Sequence, residues 1–180
     1  MKHVYTDIAK AAIEDVLYDR ETIDREKLIE NYPELAQKGA TFVTLTLHGA
    51  LRGCVGSLSA HRPLIDDLID NARSAAFRDP RFYPCTITEF DEVATEVSLL
   101  NEPKLLEYSS IADLKRKVRP SVDGVVLSLN GRRATFLPQV WDELPTFELF
   151  FSHLCQKAGL GADCLEEQPE IELYQVEKVK

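Results

Sequence analysis

An Asn-Gly pair at positions 130 and 131 separates two extended runs, "GVVLSL" and "RRATFL". This dipeptide favours the two-residue turn of a β-hairpin, because both of its residues accept a positive φ. A second pair of extended runs, "TFVTLTL" and "LRGCVGSL", flanks residues 48–50 and predicts another hairpin. The chain is therefore expected to contain antiparallel β structure at two separate places.

Helical patterns lie around these hairpins and do not alternate strictly with single strands. The predicted helices are residues 5–17, a short one from Asp24, one after Pro63 that ends near Arg78, a short one after Ser109 or Ser110, and 146–158. Further strands are predicted at 92–100 and 170–179. This order predicts an α+β fold with a largely antiparallel sheet flanked by helices. We expect one compact domain over residues 1–180, either undivided or divided into two unequal lobes.

The charge balance limits the partners that this chain can bind. Lysine and arginine number 21 against 30 for aspartate and glutamate, which gives a net charge of −9. Because this charge repels a phosphate backbone, nucleic acid is not an expected partner. No apolar run approaches the roughly 18 residues of a membrane span, and the charged first twenty residues do not resemble a secretory signal. We expect a cytoplasmic protein without membrane contact.

The cysteines give no sign of a metal centre. Cys54, Cys85, Cys155 and Cys164 include no C-x-x-C pair. The spacing of His153, Cys155 and Cys164 does not match a zinc site, so we expect neither a metal nor another cofactor. A cytoplasmic setting keeps thiols reduced, and a disulfide framework is therefore not expected.

The segment "LRGCVGSL" places Arg52 and Cys54 two residues apart, and hence on one face of a strand. A three-residue turn at 48–50 sets Leu51 opposite Leu47, Arg52 opposite Thr46 and Cys54 opposite Thr44. A two-residue turn would place Arg52 and Cys54 among the apolar side chains of residues 43–47. A bulge at Gly49 would change the register of the pairing again.

This face has a chemical interpretation and a structural one. A permanent positive charge beside a thiol favours the reactive thiolate, which makes Cys54 a candidate catalytic nucleophile with Arg52 as its activator. Gly53 and Gly56 allow a ligand or another backbone segment to come close. His61 is a candidate base if the chain folds back. Alternatively, Cys54 is a small buried apolar residue and the glycines form a bulge.

Two other segments carry candidate ligand-binding residues. "FRDPRF" contains Asp79 and Arg81 at a helix end, where they are suited to orient a carboxylate or phosphate. The alternative is that Asp79 bonds Arg81 or the local backbone. In "TFLPQVW", Gln139 offers an amide to a substrate or to a neighbouring loop.

"LRGCVGSL" is followed in order by "FRDPRFYP", "ATFLPQVW" and "FFSHLCQKAGL". In this combination and order, the chain resembles the AMMECR-type domain family over nearly its whole length. The bacterial and archaeal members are called AmmeMemoRadiSam system protein A. Val55 and Ser57 are mild departures from the family pattern, in which isoleucine and threonine are usual.

The resemblance implies an α+β fold with two unequal lobes and a cleft near the Arg-Gly-Cys motif. It also implies association with a Memo-type protein and a radical-SAM enzyme, while it assigns no reaction. Two functions follow as hypotheses. The first is a small-molecule-binding or thiol-dependent component of that system, and the second is a non-catalytic docking module for other proteins.

Overall fold

The structure, a computed structural model, describes residues 3–180. The described residues form seven α-helices: α1 (His3–Leu17), α2 (Arg25–Asn31), α3 (Leu64–Phe77), α4 (Ile87–Phe90), α5 (Ile111–Lys117), α6 (Val140–Glu143) and α7 (Phe147–Lys157). Short 3₁₀ turns lie at Pro33–Ala36 and Cys164–Glu167. No helix within this part of the chain combines the length and the apolar character that a bilayer span requires.

The strands form two sheets. They are β1 (Lys38–Leu47), β2 (Ala50–Gly56), β3 (Arg62–Pro63), β4 (Val93–Leu100), β5 (Lys104–Leu105), β6 (Gly124–Leu129), β7 (Arg132–Phe136), β8 (Glu170–Tyr174) and β9 (Val176–Val179). The first sheet has the order β2-β1-β4-β9, with β3 also paired to β1, and the second has the order β5-β8-β6-β7. β1 pairs antiparallel with β2, β3 and β4, and every pairing in the second sheet is antiparallel. The predicted antiparallel α+β class is confirmed.

The chain divides into two units. The first extends to Leu100 and also takes in Glu177–Lys180, while the second consists of Asn101–Val176. In the first unit, α1 and α3 pack against the first sheet around fully buried apolar side chains such as Ile13, Val43 and Leu68. In the second unit, the Trp141 ring stacks on the Phe150 ring of α7, with centroids 3.7 Å apart. Each unit thus has its own hydrophobic core.

A buried polar cluster fastens α3 to the end of the β1–β2 hairpin. The carboxylate of Asp67 on α3 accepts hydrogen bonds from the Thr41 backbone N–H and hydroxyl, both at 2.8 Å, and from the Ser57 hydroxyl at 2.6 Å. Arg62 donates its Nε–H to the same carboxylate at 2.9 Å. Because a buried carboxylate needs such partners, the cluster fixes the hairpin against α3.

The register of the β1–β2 hairpin differs in part from the predicted one. Cys54 lies opposite Thr44, as predicted. The turn, however, contains two residues, His48 and Gly49, which both have positive φ, and a bulge leaves Arg52 without a cross-strand partner. Thr46 therefore pairs with Leu51 and Leu47 with Ala50, so the predicted Leu51–Leu47 and Arg52–Thr46 pairs are wrong.

The C-terminal extended run is two strands and not one. β8 belongs to the second sheet and β9 to the first, and Gln175 separates them. Its backbone N–H donates to the Asn101 side-chain oxygen at 2.6 Å, and its amide nitrogen donates to Asp123 at 2.8 Å. These bonds anchor Gln175 outside either strand ladder, and the continuous strand predicted over 170–179 is wrong.

Cys155 and Cys164 form a disulfide, which contradicts the expectation of four reduced thiols. Gly159 follows α7 in the left-handed conformation, which is typical of a glycine at a helix end, and it reverses the chain. The reversal brings the Cα atoms of the two cysteines to 5.8 Å, within the usual range for a disulfide. Cys54 and Cys85 are free.

Candidate functional site

The Arg-Gly-Cys motif lies on β2, at the edge of the first sheet. Gly53 faces the backbone of α3, where a Cβ atom built on it would lie 2.1 Å from the carbonyl oxygen of Ala75. The predicted close contact at Gly53 is therefore confirmed. No side chain larger than hydrogen fits without moving one of the two backbone segments, so this glycine sets the distance between strand and helix.

Gly56 also serves a close contact. It lies opposite Phe42, and a Cβ atom on it would lie 2.2 Å from the Cγ atom of that ring. The space beside both glycines is filled by protein atoms, and the ligand-binding role predicted for Gly53 and Gly56 stays a prediction.

Asp79 and Arg81 close the free edge of β2 at Cys54. Asp79, which is 5% exposed, accepts a hydrogen bond from the Cys54 backbone N–H at 3.0 Å. Arg81 donates its Nη2–H to the Cys54 carbonyl oxygen at 3.4 Å and to Asp79 at 2.8 Å. The two side chains thus bind the strand edge as a neighbouring strand would, and we call this arrangement the Asp79–Arg81 clamp.

The clamp holds Asp79 ionised. Side-chain hydrogen bonds from Arg81 lower the pKa of Asp79 far below its usual range, against the opposing effect of burial. The backbone N–H groups of Cys54 and Arg81 lower it further. The interpretation in which Asp79 bonds Arg81 and the local backbone is confirmed, while the ligand-binding role predicted for Asp79 and Arg81 stays a prediction.

Arg52 is held by Glu89 on α4. Its Nε–H donates to Glu89 Oε1, and its Nη2 group donates to Glu89 Oε2 at 3.1 Å and to the Tyr83 carbonyl oxygen at 2.8 Å. The Arg52 side chain is 11% exposed. Its hydrogen bonds to Glu89 lower the pKa of that carboxyl group and raise the pKa of the guanidinium. The pair is therefore fully charged around neutral pH.

The sequence interpretation missed Glu89, although a local signal for it exists. Thr86 and Glu89 form a capping box at the start of α4, in which the Thr86 backbone N–H donates to Glu89 Oε2 at 3.2 Å. The pattern Thr-x-x-Glu is the sequence signature of this motif. It fixes the glutamate side chain near the helix start, where Arg52 meets it.

The Cys54 thiol is half-buried and its Sγ atom lies 3.3 Å from the Thr44 hydroxyl. Among residues 3–180, no hydrogen bond joins Arg52 to this thiol, and the activation of Cys54 by Arg52 stays a prediction. His61 is exposed and its Nδ1 atom contacts the Ser59 carbonyl oxygen at 3.0 Å. Within residues 3–180, neither predicted helper therefore makes a hydrogen bond to the sulfur atom.

A pocket of about 350 Å³ opens beside the Arg52–Glu89 pair. Its lining comprises Arg52, Arg81, Phe82, Tyr83, Pro84, Thr86 and Glu89, and we call it the Arg52 pocket. Arg52 Nη1 is buried and has no hydrogen-bond partner among the described residues. Within residues 3–180, no group of three or more His, Cys, Asp or Glu side chains is arranged to hold a metal ion.

Gln139 is the one predicted site residue outside the first unit. It is exposed and directly precedes α6 in the second unit. Its role toward a substrate stays a prediction. The structure thus brings Arg52, Cys54, Asp79 and Arg81 together on and beside one strand.

Comparison with known proteins gives a consistent assignment. The family model AMMECR1 matches residues 6–179. A protein from Methanothermobacter thermautotrophicus is 40% identical over an alignment of 173 residues. The match covers 93% of this chain and 86% of that protein. Protein MJ0810 from Methanocaldococcus jannaschii is 37% identical over 163 residues, and the match covers 86% of this chain and 77% of that protein.

A solved structure agrees in fold. The crystal structure of uncharacterized protein PH0010 from Pyrococcus horikoshii matches with a TM-score of 0.82 at 33% sequence identity. The match covers 98% of this chain and 89% of that chain. The family match spans both units and includes the motif strand, the clamp and the residues of the Arg52 pocket. The chain belongs to the AMMECR1 family.

Proposed function

We propose that this protein is a small-molecule-binding component that acts with a Memo-type protein and a radical-SAM enzyme. The partnership is supported by the family resemblance of the motifs. The binding function is supported by the Arg52 pocket, because Arg52, which lines it, has a buried Nη1 atom without a hydrogen-bond partner among residues 3–180. Such a donor is rare in a folded protein, and it suggests a site that is completed by another molecule.

The arrangement favours binding over thiol chemistry. A cysteine nucleophile is activated by an adjacent base or positive charge, and the hydrogen-bond contact of the Cys54 thiol is with the Thr44 hydroxyl group instead. In addition, Cys54 is outside the lining of the Arg52 pocket. Its backbone supports that pocket indirectly, through the clamp that positions Arg81. A thiol-dependent reaction is therefore the weaker form of the proposal.

A docking module is the second candidate function. Leu51, Tyr83 and Ile87 are exposed apolar side chains. They belong to the segments that carry Arg52 and Glu89. Exposed aromatic and apolar side chains are enriched in the cores of surfaces that bind other proteins. This surface would serve a Memo-type or radical-SAM partner without any small molecule.

The ligand test begins with protein purified from its native host without denaturation. Small molecules released on unfolding are identified by mass spectrometry. A double variant, Arg52→Gln with Glu89→Gln, removes both charges without leaving either one unpaired. The control, Arg25→Gln with Asp66→Asn, removes another arginine–carboxylate pair of the first unit, which is linked at 2.6 Å and lies outside the pocket lining.

We expect one compound to be released from the wild type and the control and to be absent from the pocket variant. Release of the same amount from all three proteins would contradict the assignment of the pocket. The partnership is tested separately by size-exclusion chromatography with the purified Memo-type and radical-SAM proteins of the same host. Co-elution that persists in the pocket variant, with no released compound in any sample, would favour the docking module.

A further inference from the structure

The two arginines of the Arg52 pocket have unused hydrogen-bond donors. A guanidinium group carries five N–H bonds. In Arg81, the Nε–H and Nη2 groups donate to Asp79, and Nη2 also donates to the Cys54 carbonyl oxygen. In Arg52, the Nε–H and Nη2 groups donate to Glu89, and Nη2 also donates to the Tyr83 carbonyl oxygen. In both side chains, the Nη1 group makes no hydrogen bond to any residue in 3–180. Both arginines of the lining therefore have an unpaired donor group, of which Arg52 Nη1 is buried from solvent.

Aromatic rings accompany these donors. The guanidinium carbons of Arg52 and Arg81 lie 5.8 Å and 5.5 Å from the centroid of the Phe82 ring, within cation–π range. The next residue, Tyr83, lines the pocket and is 91% exposed. The exposed ring of this lining residue can serve as a stacking surface for a flat molecule.

The carboxylates of the site limit the charge that a ligand can carry. Glu89 lines the pocket with the two arginines, so the lining has a net charge of about +1. Asp79 is bonded to Arg81, with its Oδ2 atom 2.8 Å from the Nη2 atom of the guanidinium group. Inorganic phosphate, which is partly dianionic near neutral pH, would be repelled more strongly by both carboxylates than a monocarboxylate, whose planar group also matches the geometry of a guanidinium.

We infer that the ligand of the Arg52 pocket is a planar monocarboxylic acid with an apolar body, an inference that rests on the proposed small-molecule function. The carboxylate accepts hydrogen bonds from the Nη1 groups of Arg81 and Arg52, and the flat body lies against Tyr83. Because Arg52 Nη1 is closed to solvent, binding includes a local shift of the side chains around it.

Three probes of similar size separate the chemical classes. Benzoate, benzamide and inorganic phosphate are titrated at constant ionic strength by calorimetry and by chemical-shift mapping on the isotope-labelled full chain. We expect benzoate to bind with shifts at residues 81–89. Benzamide and phosphate should bind at least about tenfold more weakly, since charge-assisted hydrogen bonds are the stronger ones and a dianion is repelled.

Two variants locate the site, and one provides a matched control. Arg81→Ala should weaken benzoate binding by at least about tenfold. Arg78→Ala should leave it unchanged within a factor of two, because Arg78 has nearly the same exposure, 57% against 55%, but lies outside the lining. Tyr83→Ala removes an exposed ring that the fold does not need and should weaken binding by about two- to tenfold.

Equal binding of benzoate and benzamide, or tighter binding of phosphate, overturns the monocarboxylate inference while the pocket remains a small-molecule site. Unchanged benzoate affinity in both Arg81→Ala and Tyr83→Ala also overturns it. If benzoate does not bind, the inference is wrong. The compound-release experiment on native protein then decides separately whether the proposed function fails with it.

Discussion

The carboxylate of Asp79 lies 3.0 Å from the backbone nitrogen of Cys54, and the two residues are 25 positions apart in the chain. This contact joins the loop after α3 to the outer edge of β2. It gives the Cys54 N–H an acceptor that no neighbouring strand supplies, because β2 is an edge strand. Asp79 is thus a structural acceptor for the motif strand, and its carboxylate is already occupied.

The substitution Asp79→Asn should lower the free energy of unfolding by about 1.5–3 kcal/mol at pH 7, because it replaces charge-assisted hydrogen bonds at a buried position. Amide hydrogen exchange at Cys54 should accelerate in the variant. Urea unfolding and NMR-detected exchange measure the two effects. Asp70→Asn is the control, since Asp70 pairs with Arg62 and Arg78 at a half-exposed site and should cost less than about 1 kcal/mol.

The same pair of proteins tests the pH dependence. The folded-state pKa of Asp79 is lowered, so its stabilising effect is complete above the unfolded-state pKa of about 3.9 and is lost as the pH falls below it. The stability difference between the wild type and Asp79→Asn should therefore be constant from pH 7 to pH 5 and smaller at pH 3. A difference that grows on acidification would show that the ionised carboxylate does not stabilise the fold.

Gly53→Ala should destabilise the first unit by about 2 kcal/mol or more, beyond the roughly 1 kcal/mol of a simple propensity change. The added Cβ atom would meet the Ala75 carbonyl oxygen at 2.1 Å, and both groups are backbone. Gly161→Ala is a suitable control, because its Cβ atom would meet only the end of the Asp163 side chain, at 2.9 Å. Chemical denaturation compares them, and equal stability of the Gly53 variant and wild type would refute the steric constraint.

Cys54 should be the first thiol to react with a limiting amount of iodoacetamide. It is half-buried, while Cys85 is buried and burial raises the pKa of the Cys85 thiol. Peptide mass spectrometry across pH 6 to 9 ranks the sites, with unfolded protein as the control for intrinsic reactivity. Preferential labelling of Cys85 in the folded protein would contradict this order.

The disulfide makes a separate prediction for the second unit. Reduction, or the double substitution Cys155→Ser with Cys164→Ser, should lower the stability of that unit by about 2–3 kcal/mol, as expected for a short closed loop. The Trp141 fluorescence follows its unfolding, since Trp141 is buried in the core of this unit. Cys85→Ser is the matched control and should leave the fluorescence transition in place. Peptide mapping without reductant should recover residues 155 and 164 linked, and free thiols at both would disprove the bond.

Local signals in the sequence were sufficient for much of the fold. Asn130–Gly131 predicts its hairpin turn, and both residues have positive φ. His48–Gly49 forms a turn of the same length, but His-Gly is not among the dipeptides preferred for such turns, and simple counting does not include the bulge at Arg52. The bulge compensates for the shorter turn, which is why Cys54 still lies opposite Thr44.

The candidate site was less predictable because its contacts are distant in sequence. Arg52 and Glu89 are 37 residues apart, and neither pattern nor spacing connects them. The capping box identifies Glu89 as a helix-start residue and does not reveal its second partner. The expected cellular compartment does not predict the Cys155–Cys164 bond, because the turn at Gly159 decides the distance between the two cysteines.

At Gln175 the chain passes from the second sheet to the first. This crossing determines the order in which the two sheets can be completed during synthesis on the ribosome. β9, which lies beside β4 in the first sheet, is synthesised only after all of residues 101–176. At bacterial or eukaryotic translation rates, that interval is about 4–15 s. During this time the nascent first unit has an unpaired β4 edge, which is a site for association with other chains. Its sheet reaches full width only when the last strand has emerged.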